Sequence, residues 1–293
     1  YGGPAGGVDM SVLVGYDGSE VSADAVRFAA REAHLRGVPL EVITAWDAPT
    51  ADLGMGAGSV VDPQLADVVA QRATEAAAED AGLAGEVDVT ARAVPGPAAA
   101  ALVDGSRSSE LVVVGSHGRH GMADLLLGGV SRQVAAHSAC PVIVVRNDAA
   151  RFGRIAVGID GSPQALRALD FAFEQASRHG WALRVVHAWD VAVIGFDANT
   201  STYPQGGILD EVRDAETRLS AEVLAGHADR YPDVALEVIV QRGAPAKVLI
   251  DASRDCDLLV TGSRGRGGFA ALLLGSVSHK VLHHAHCSVA VVP

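Results

Sequence analysis

The stretch Val12-Leu-Val-Gly-Tyr-Asp-Gly-Ser19 returns 143 residues later as Ile155-Ala-Val-Gly-Ile-Asp-Gly-Ser162. In each copy a short apolar run with β-branched residues meets Asp-Gly-Ser, a turn signature, and a long helical pattern follows. A second match lies near the end of each half. Gly115 to Val145 aligns with Gly262 to Val292 at an offset of 147, with 18 of 31 positions identical. The chain is a tandem duplication of one domain design, and the growth of the offset by four places a short insertion in the second half.

Outward from these blocks, each half reads β-α-β-α-β-α-β-α-β. Ser11–Tyr16 is the first strand. The helix from about Val21 to Arg36 then puts Ala25, Phe28, Ala29 and Ala33 on one face. Gly37 and Pro39 end it, and Leu40–Ala45 is the second strand. Asp47–Ser59 reads as a glycine-rich loop, and Asp62 with Pro63 opens an alanine-rich helix to about Ala81. Val87–Val94 alternates as a strand, Pro97–Gly105 is a short helix, and Leu111–Val114 is a fully apolar strand. Gly129–Ser138 forms another helix before the strand Val142–Val145. The second half gives strands at about Ile155–Ile159, Leu183–His187, Leu236–Val240, Leu258–Thr261 and Val289–Val292. Apolar strands alternating with helices predict an α/β fold, here two tandem doubly wound parallel sheets flanked by helices. The domains are expected at residues 10–148 and 149–293, joined through the polar linker Asn147–Gly153, while residues 1–9 read as a cloning remnant outside the fold.

Composition narrows the function. The 293 residues carry 23 Lys+Arg against 35 Asp+Glu, a net charge of −12. Such a chain lacks the basic field that draws duplex nucleic acid or anionic membrane, so neither is an expected partner. An anionic ligand would need local backbone amides or a few arginines. Cys140, Cys256 and Cys287 form no disulfide framework and no CxxC pair, which predicts small core residues in a reduced, cytoplasmic protein. No signal peptide and no apolar run of the ~20 residues a membrane helix needs is read in the sequence.

In an open parallel sheet, ligands bind beyond the carboxyl ends of the strands, where strand order reverses. Two segments per half are expected there. One is Asp17-Gly18-Ser19, repeated as Asp160-Gly161-Ser162. The other is Gly115-Ser-His-Gly118-Arg119-His-Gly121, running into Gly128-Gly129-Val130-Ser131; its repeat is Gly262-Ser-Arg264-Gly265-Arg266-Gly-Gly268, running into Gly275-Ser276-Val277-Ser278. Phosphate oxygens must come close to main-chain N–H groups, where a Cβ obstructs, and a helix N-terminus adds free amides and partial positive charge. Hydroxyls of Ser276, and of Ser131 or Ser278, are expected as further donors, with Arg119, Arg264 and Arg266 as compensating charge. The alternative is that these glycine turns simply join strands to helices. Neither GxxxxGK[ST] nor GxGxxG is present.

The spacing Gly, two residues, Gly, nine residues, Gly, then Ser/Thr resembles the ATP-binding motif of the universal stress protein family, once per half across residues 10–293. The resemblance implies a Rossmann-like five-stranded domain of strand order 3-2-1-4-5, with nucleotide between strands one and four. It implies that Asp17 and Asp160 contact the ribose or adenine side of ATP. Main-chain groups at Ala45 and Ala188 would meet the adenine edge. Gly115, Gly118 and Gly128, with Gly262, Gly265, Gly275 and Ser276, would hold ribose and phosphates. Mg²⁺ would bridge the phosphates without a dedicated protein cage. It further implies a homodimer, with the two halves themselves forming a dimer-like pair, and an unidentified regulatory protein partner. The family's Ser/Thr is Ser276 in the second half but Gly129 in the first, so the second site is expected to be tighter. A hydrogen bond to a charged group contributes ~1.5–3 kcal/mol, tenfold or more in affinity.

The leading reading is an ATP-binding regulatory protein. A slow ATPase or nucleotidyl-transfer enzyme is the contrast, disfavoured because no general base or carboxylate pair is placed. A dimerising scaffold with a degenerate first pocket is the third reading. Asp17 and Asp160 equally suit an Asx turn or a helix cap. His279, His283 and His286, with Cys287, have zinc-like spacing, though histidines at a helix C-terminus also follow from the dipole. Trp46 and Trp189 either stack on the base or fill a strand-to-loop corner. Asp47–Ser59 and Val191–Gly207 read as lids or as plain loops.

Overall fold

The computed structural model describes residues 10–46, 68, 85–118, 127–146, 152–189, 217–218, 224–227, 229–266 and 273–293. The expected loop Asp47–Ser59, the segment Val191–Gly207, Arg119 and most of the linker fall outside them, as does the expected helix from Asp62 apart from helical Val68. The chain divides into two compact units, residues 1–148 and 149–292.

In unit 1, β1 (Ser11–Gly15), α1 (Glu20–Arg36), β2 (Leu40–Trp46), β3 (Val89–Pro95), α2 (Ala98–Gly105), β4 (Ser109–Gly115), α3 (Gly129–His137) and β5 (Val142–Val145) follow one another. All the strand pairs are parallel, in the order β3-β2-β1-β4-β5. Order reverses between β1 and β4, so the carboxyl ends of these two neighbours open a crevice. Unit 2 repeats the plan with β6 (Arg154–Ile159), α4 (Pro163–His179), β7 (Ala182–Trp189), β8 (Leu236–Arg242), α5 (Pro245–Ala252), β9 (Leu258–Gly262), α6 (Ser276–His284) and β10 (Ser288–Val292). Its parallel order is β8-β7-β6-β9-β10. Both orders are 3-2-1-4-5 within the unit.

The first helix of each unit shows why the sequence folds this way. Ser19 ends an extended segment, and its Oγ accepts the Ser22 amide at 3.2 Å, satisfying a donor that the first turn cannot. Ala25, Val26, Ala29 and Ala33 are fully buried, and their small side chains let α1 lie close across β1 and β4. Gly37 stops the helix in the left-handed region at φ 68°. Ser162 and Gly180 do the same for α4. The cap is thus Ser19 or Ser162, not Asp17 or Asp160. Helices α2 and α3 pack on each other, α2 against β1 and β2 and α3 against β5. Leu111, Val112 and Val113 of β4, and Leu258, Leu259 and Val260 of β9, are almost completely buried, as strands covered on both faces require.

No helix among the described residues is long and apolar enough to cross a membrane. None of the three cysteines forms a disulfide and all are buried, and burial pushes the thiols of Cys140 and Cys256 up to about 12. They are packing groups, not nucleophiles.

Candidate functional site

The turn after β1 is built around Asp17. Its Oδ1 accepts the Ser19 amide at 3.0 Å and the Ser19 hydroxyl at 2.6 Å, an Asx turn. Gly18 supplies the positive φ of 81° that this turn requires. In unit 2, Asp160 Oδ1 accepts the Ser162 amide at 2.9 Å, while Oδ2 accepts the Arg266 amide at 3.0 Å. Asp160 therefore pins the glycine loop to the strand-one turn. A Cβ at Gly118 would collide with Asp17 Oδ2, and one at Gly265 with Asp160 Oδ2, so a side chain at either position would push aside the aspartate that shapes the turn.

Beyond β4, the Gly128 amide donates to the Ser116 carbonyl at 2.7 Å; the Gly275 amide does the same to Ser263 at 2.7 Å. Each loop is thereby drawn back onto its strand, delivering the N-terminus of α3 or α6 to the crevice. The first intrahelical bonds run from Arg132 to Gly128 and from His279 to Gly275. The amides of Gly129, Val130 and Ser131, and of Ser276, Val277 and Ser278, precede them and have no acceptor among the described residues. Neither helix has a side-chain cap. Three donors and a dipole's positive end thus face the crevice in each unit, an arrangement suited to an anion.

In unit 1 a single cleft is lined by Asp17, Ala45, Gly115, Gly118, Gly128, Gly129, Val130 and Ser131. These are the eight described residues expected there; Arg119, the ninth, lies outside the described residues. Reading the sequence missed Tyr16, Ser22, Ile43, Leu102 and His117 on the same walls. Tyr16 and His117 flank chosen residues, and adjacency to a loop already assigned was the available signal. Leu102 closes the floor: a Cβ at Gly15 would meet its Cδ1 at 2.9 Å.

One expectation is corrected. The hydroxyls of Ser131 and Ser278 do not serve as donors to a ligand. Ser131 Oγ donates to the Gly115 carbonyl and Ser278 Oγ to the Gly262 carbonyl, both at 2.6 Å, and both serines are buried. The single hydroxyl proton of each is committed to a strand-end carbonyl, which in the case of Gly262 also accepts the Thr261 hydroxyl at 3.2 Å. Ser131 therefore does not replace the hydroxyl missing at Gly129; it contributes its amide alone. Ser276 is exposed at the first position of α6.

Rings of His279 and His283 lie 4.6 Å apart, but no group of three or more metal-ligating side chains occurs among the described residues. Cys287 is buried. Trp189 is buried as well, as a corner-filling residue should be; the side chain of Trp46 lies outside the description.

The model of the universal stress protein family matches residues 10–146 and again 151–293. The chain belongs to the universal stress protein family. A universal stress protein of Mycolicibacterium smegmatis is 36% identical over 304 aligned positions, covering 97% of each chain. One of Mycobacterium tuberculosis is 37% identical over 291, covering 96% of each. Among solved structures, a universal stress protein from Archaeoglobus fulgidus superposes with a TM-score of 0.65 at 23% identity, over 96% of this chain and 97% of that one. That last likeness is one of fold. Both relatives align with this chain across its two repeats.

Proposed function

We propose that each unit binds one ATP and that occupancy of the two sites regulates the protein's stress response. The observation that supports this most is the pair of bare-backbone cradles: in both units three amides without an acceptor among the described residues stand behind a glycine loop pressed against the turn aspartate. Gly115, Gly118, Gly128 and the amides of Gly129 to Ser131 would hold the phosphates in unit 1. Gly262, Gly265, Gly275, Ser276 and the amides of Val277 and Ser278 would do so in unit 2. Asp17 and Asp160 would reach the ribose, and the main chain at Ala45 and Ala188 the adenine edge. Arg119 and Arg266 would add charge. The cradles fit a polyphosphate because they offer several N–H donors and little competing negative charge. Mg²⁺ would ride on the phosphates, neutralising them.

The protein acts as a binder and not as a catalyst in this reading. Each aspartate at the site is already committed to a turn, and no second carboxylate stands beside it among the described residues lining the cleft. The proposal includes a cytoplasmic homodimer and a protein partner that reads the nucleotide state, on the strength of family membership. Denaturing the freshly purified protein and identifying the released small molecule by mass spectrometry tests the reading. ATP, retained through long incubation, is the expected result. ADP accumulating at a steady rate that Gly265→Ala abolishes would replace the binder with an ATPase. A protein that releases no nucleotide and gains no melting temperature from Mg-ATP would leave a scaffold.

A further inference from the structure

The two cradles share a backbone but differ in what surrounds it. His117 and Arg264 leave the chain at the same point: the Cα of each lies 3.3 Å from where a Cβ would stand on Gly128 or Gly275. His117 lines the unit 1 cleft, with Nδ1 3.1 Å from Ser116 Oγ and Nε2 without a partner among the described residues. Arg264 Nε is buried yet makes no hydrogen bond there. The residue ahead of the aspartate also differs. Tyr16 stands in the unit 1 cleft, whereas its counterpart Ile159 is a buried aliphatic.

We propose that these exchanges give the two units different selectivity for a nucleotide: unit 2 discriminates by phosphate number, and unit 1 does so much less. This rests on the nucleotide reading above and adds a selectivity to it. A guanidinium is permanently charged and forms forked bonds to phosphate oxygens, so each phosphate added to the ligand gains from Arg264. The imidazole of His117 has no such fork. Arg264 also has an unmet donor, which a polyphosphate would satisfy. Ser276 adds a hydroxyl on the unit 2 side where unit 1 has Gly129. In unit 1, Tyr16 lines the cleft where unit 2 has the buried Ile159, and a contact it makes with the nucleoside would be indifferent to the number of phosphates. The sequence has an arginine two positions on in both halves, Arg119 and Arg266.

The test is a comparison of AMP with ATP, each with Mg²⁺, by calorimetry on full-length single-site forms. Gly118→Ala silences unit 1, and Gly265→Ala silences unit 2. The ratio of ATP to AMP affinity should be about tenfold or more larger in the Gly118→Ala form, which reports unit 2, as one added charge-assisted bond predicts. Introducing Arg264→His or Arg264→Gln there should shrink the ratio by about the same factor. Introducing His117→Arg or His117→Lys into the Gly265→Ala form should enlarge it. Because each ratio compares two ligands on one protein, a uniform loss of folded protein cancels. Equal ratios in the two single-site forms, or ratios that ignore the exchanges, would overturn the difference in selectivity while leaving nucleotide binding intact. If neither form bound AMP or ATP, the nucleotide reading would fall and the inference with it.

Discussion

A buried hydroxyl that donates to a strand-end carbonyl holds two elements together through one proton. Ser131 does this for α3 and β4, and Ser278 for α6 and β9. Ser131→Ala would remove the hydroxyl donor of the Gly115 carbonyl, lowering unfolding free energy by about 1–3 kcal/mol, whereas Ser278→Ala should cost less, because the Gly262 carbonyl also accepts the Thr261 hydroxyl at 3.2 Å. Urea titration followed by circular dichroism measures both; a loss under about 0.5 kcal/mol for Ser131→Ala, the size of an ordinary surface change, would contradict the role. The spacing of the loop placed both serines at the site but not the direction of their hydroxyls. That direction depends on a carbonyl 16 residues away in sequence. Asp17 was likewise legible as a turn residue, whereas the glycine pressed against its Oδ2 comes from a different strand connection and shows only in three dimensions.

At the scale of elements, β6, β7 and the turn Ser253–Asp255 are joined at the end of the unit 2 sheet opposite the cradle. Asp255 accepts Arg184 Nη1 at 2.7 Å and Arg154 Nη1 at 2.8 Å, and Arg184 Nε also reaches Glu237 at 2.9 Å. The hydrogen bonds from Arg184 hold the Asp255 carboxyl below the ordinary aspartate range. A carboxylate with a depressed pKa in the folded state stabilises above its unfolded pKa, about 4, and loses that contribution as pH falls through the lower folded value. Asp255→Asn should therefore lower stability at neutral pH and flatten the loss below about pH 4. The difference should not exceed about 1 kcal/mol, because the carboxylate is nearly half exposed and water screens it. Thermal melts between pH 3 and 7 check this; parallel curves for the two proteins would refute it. The elements themselves were largely legible, since uninterrupted apolar runs such as Leu111–Val114 leave little choice of structure. Their ends were not, because pairing continues through polar residues such as Ser109 and Arg242 once a neighbouring strand supplies partners.

For the whole molecule, duplication is the organising fact, and repetition made the site legible. One glycine turn is weak evidence of a ligand, but two loops with the same collisions, strand tethers and free amides are not explained by chain reversal alone. What repetition concealed was the difference between the copies, since His117 against Arg264 and Tyr16 against Ile159 gain meaning only once they stand at a cleft. The most direct test of the central claim is the stoichiometry of Mg-ATP binding to the full-length chain by equilibrium dialysis. Two ATP per chain are predicted, one after either Gly118→Ala or Gly265→Ala, and none after both, with the weaker remaining affinity in the Gly265→Ala form. A chain that binds no ATP, or one whose stoichiometry survives both substitutions, would contradict it.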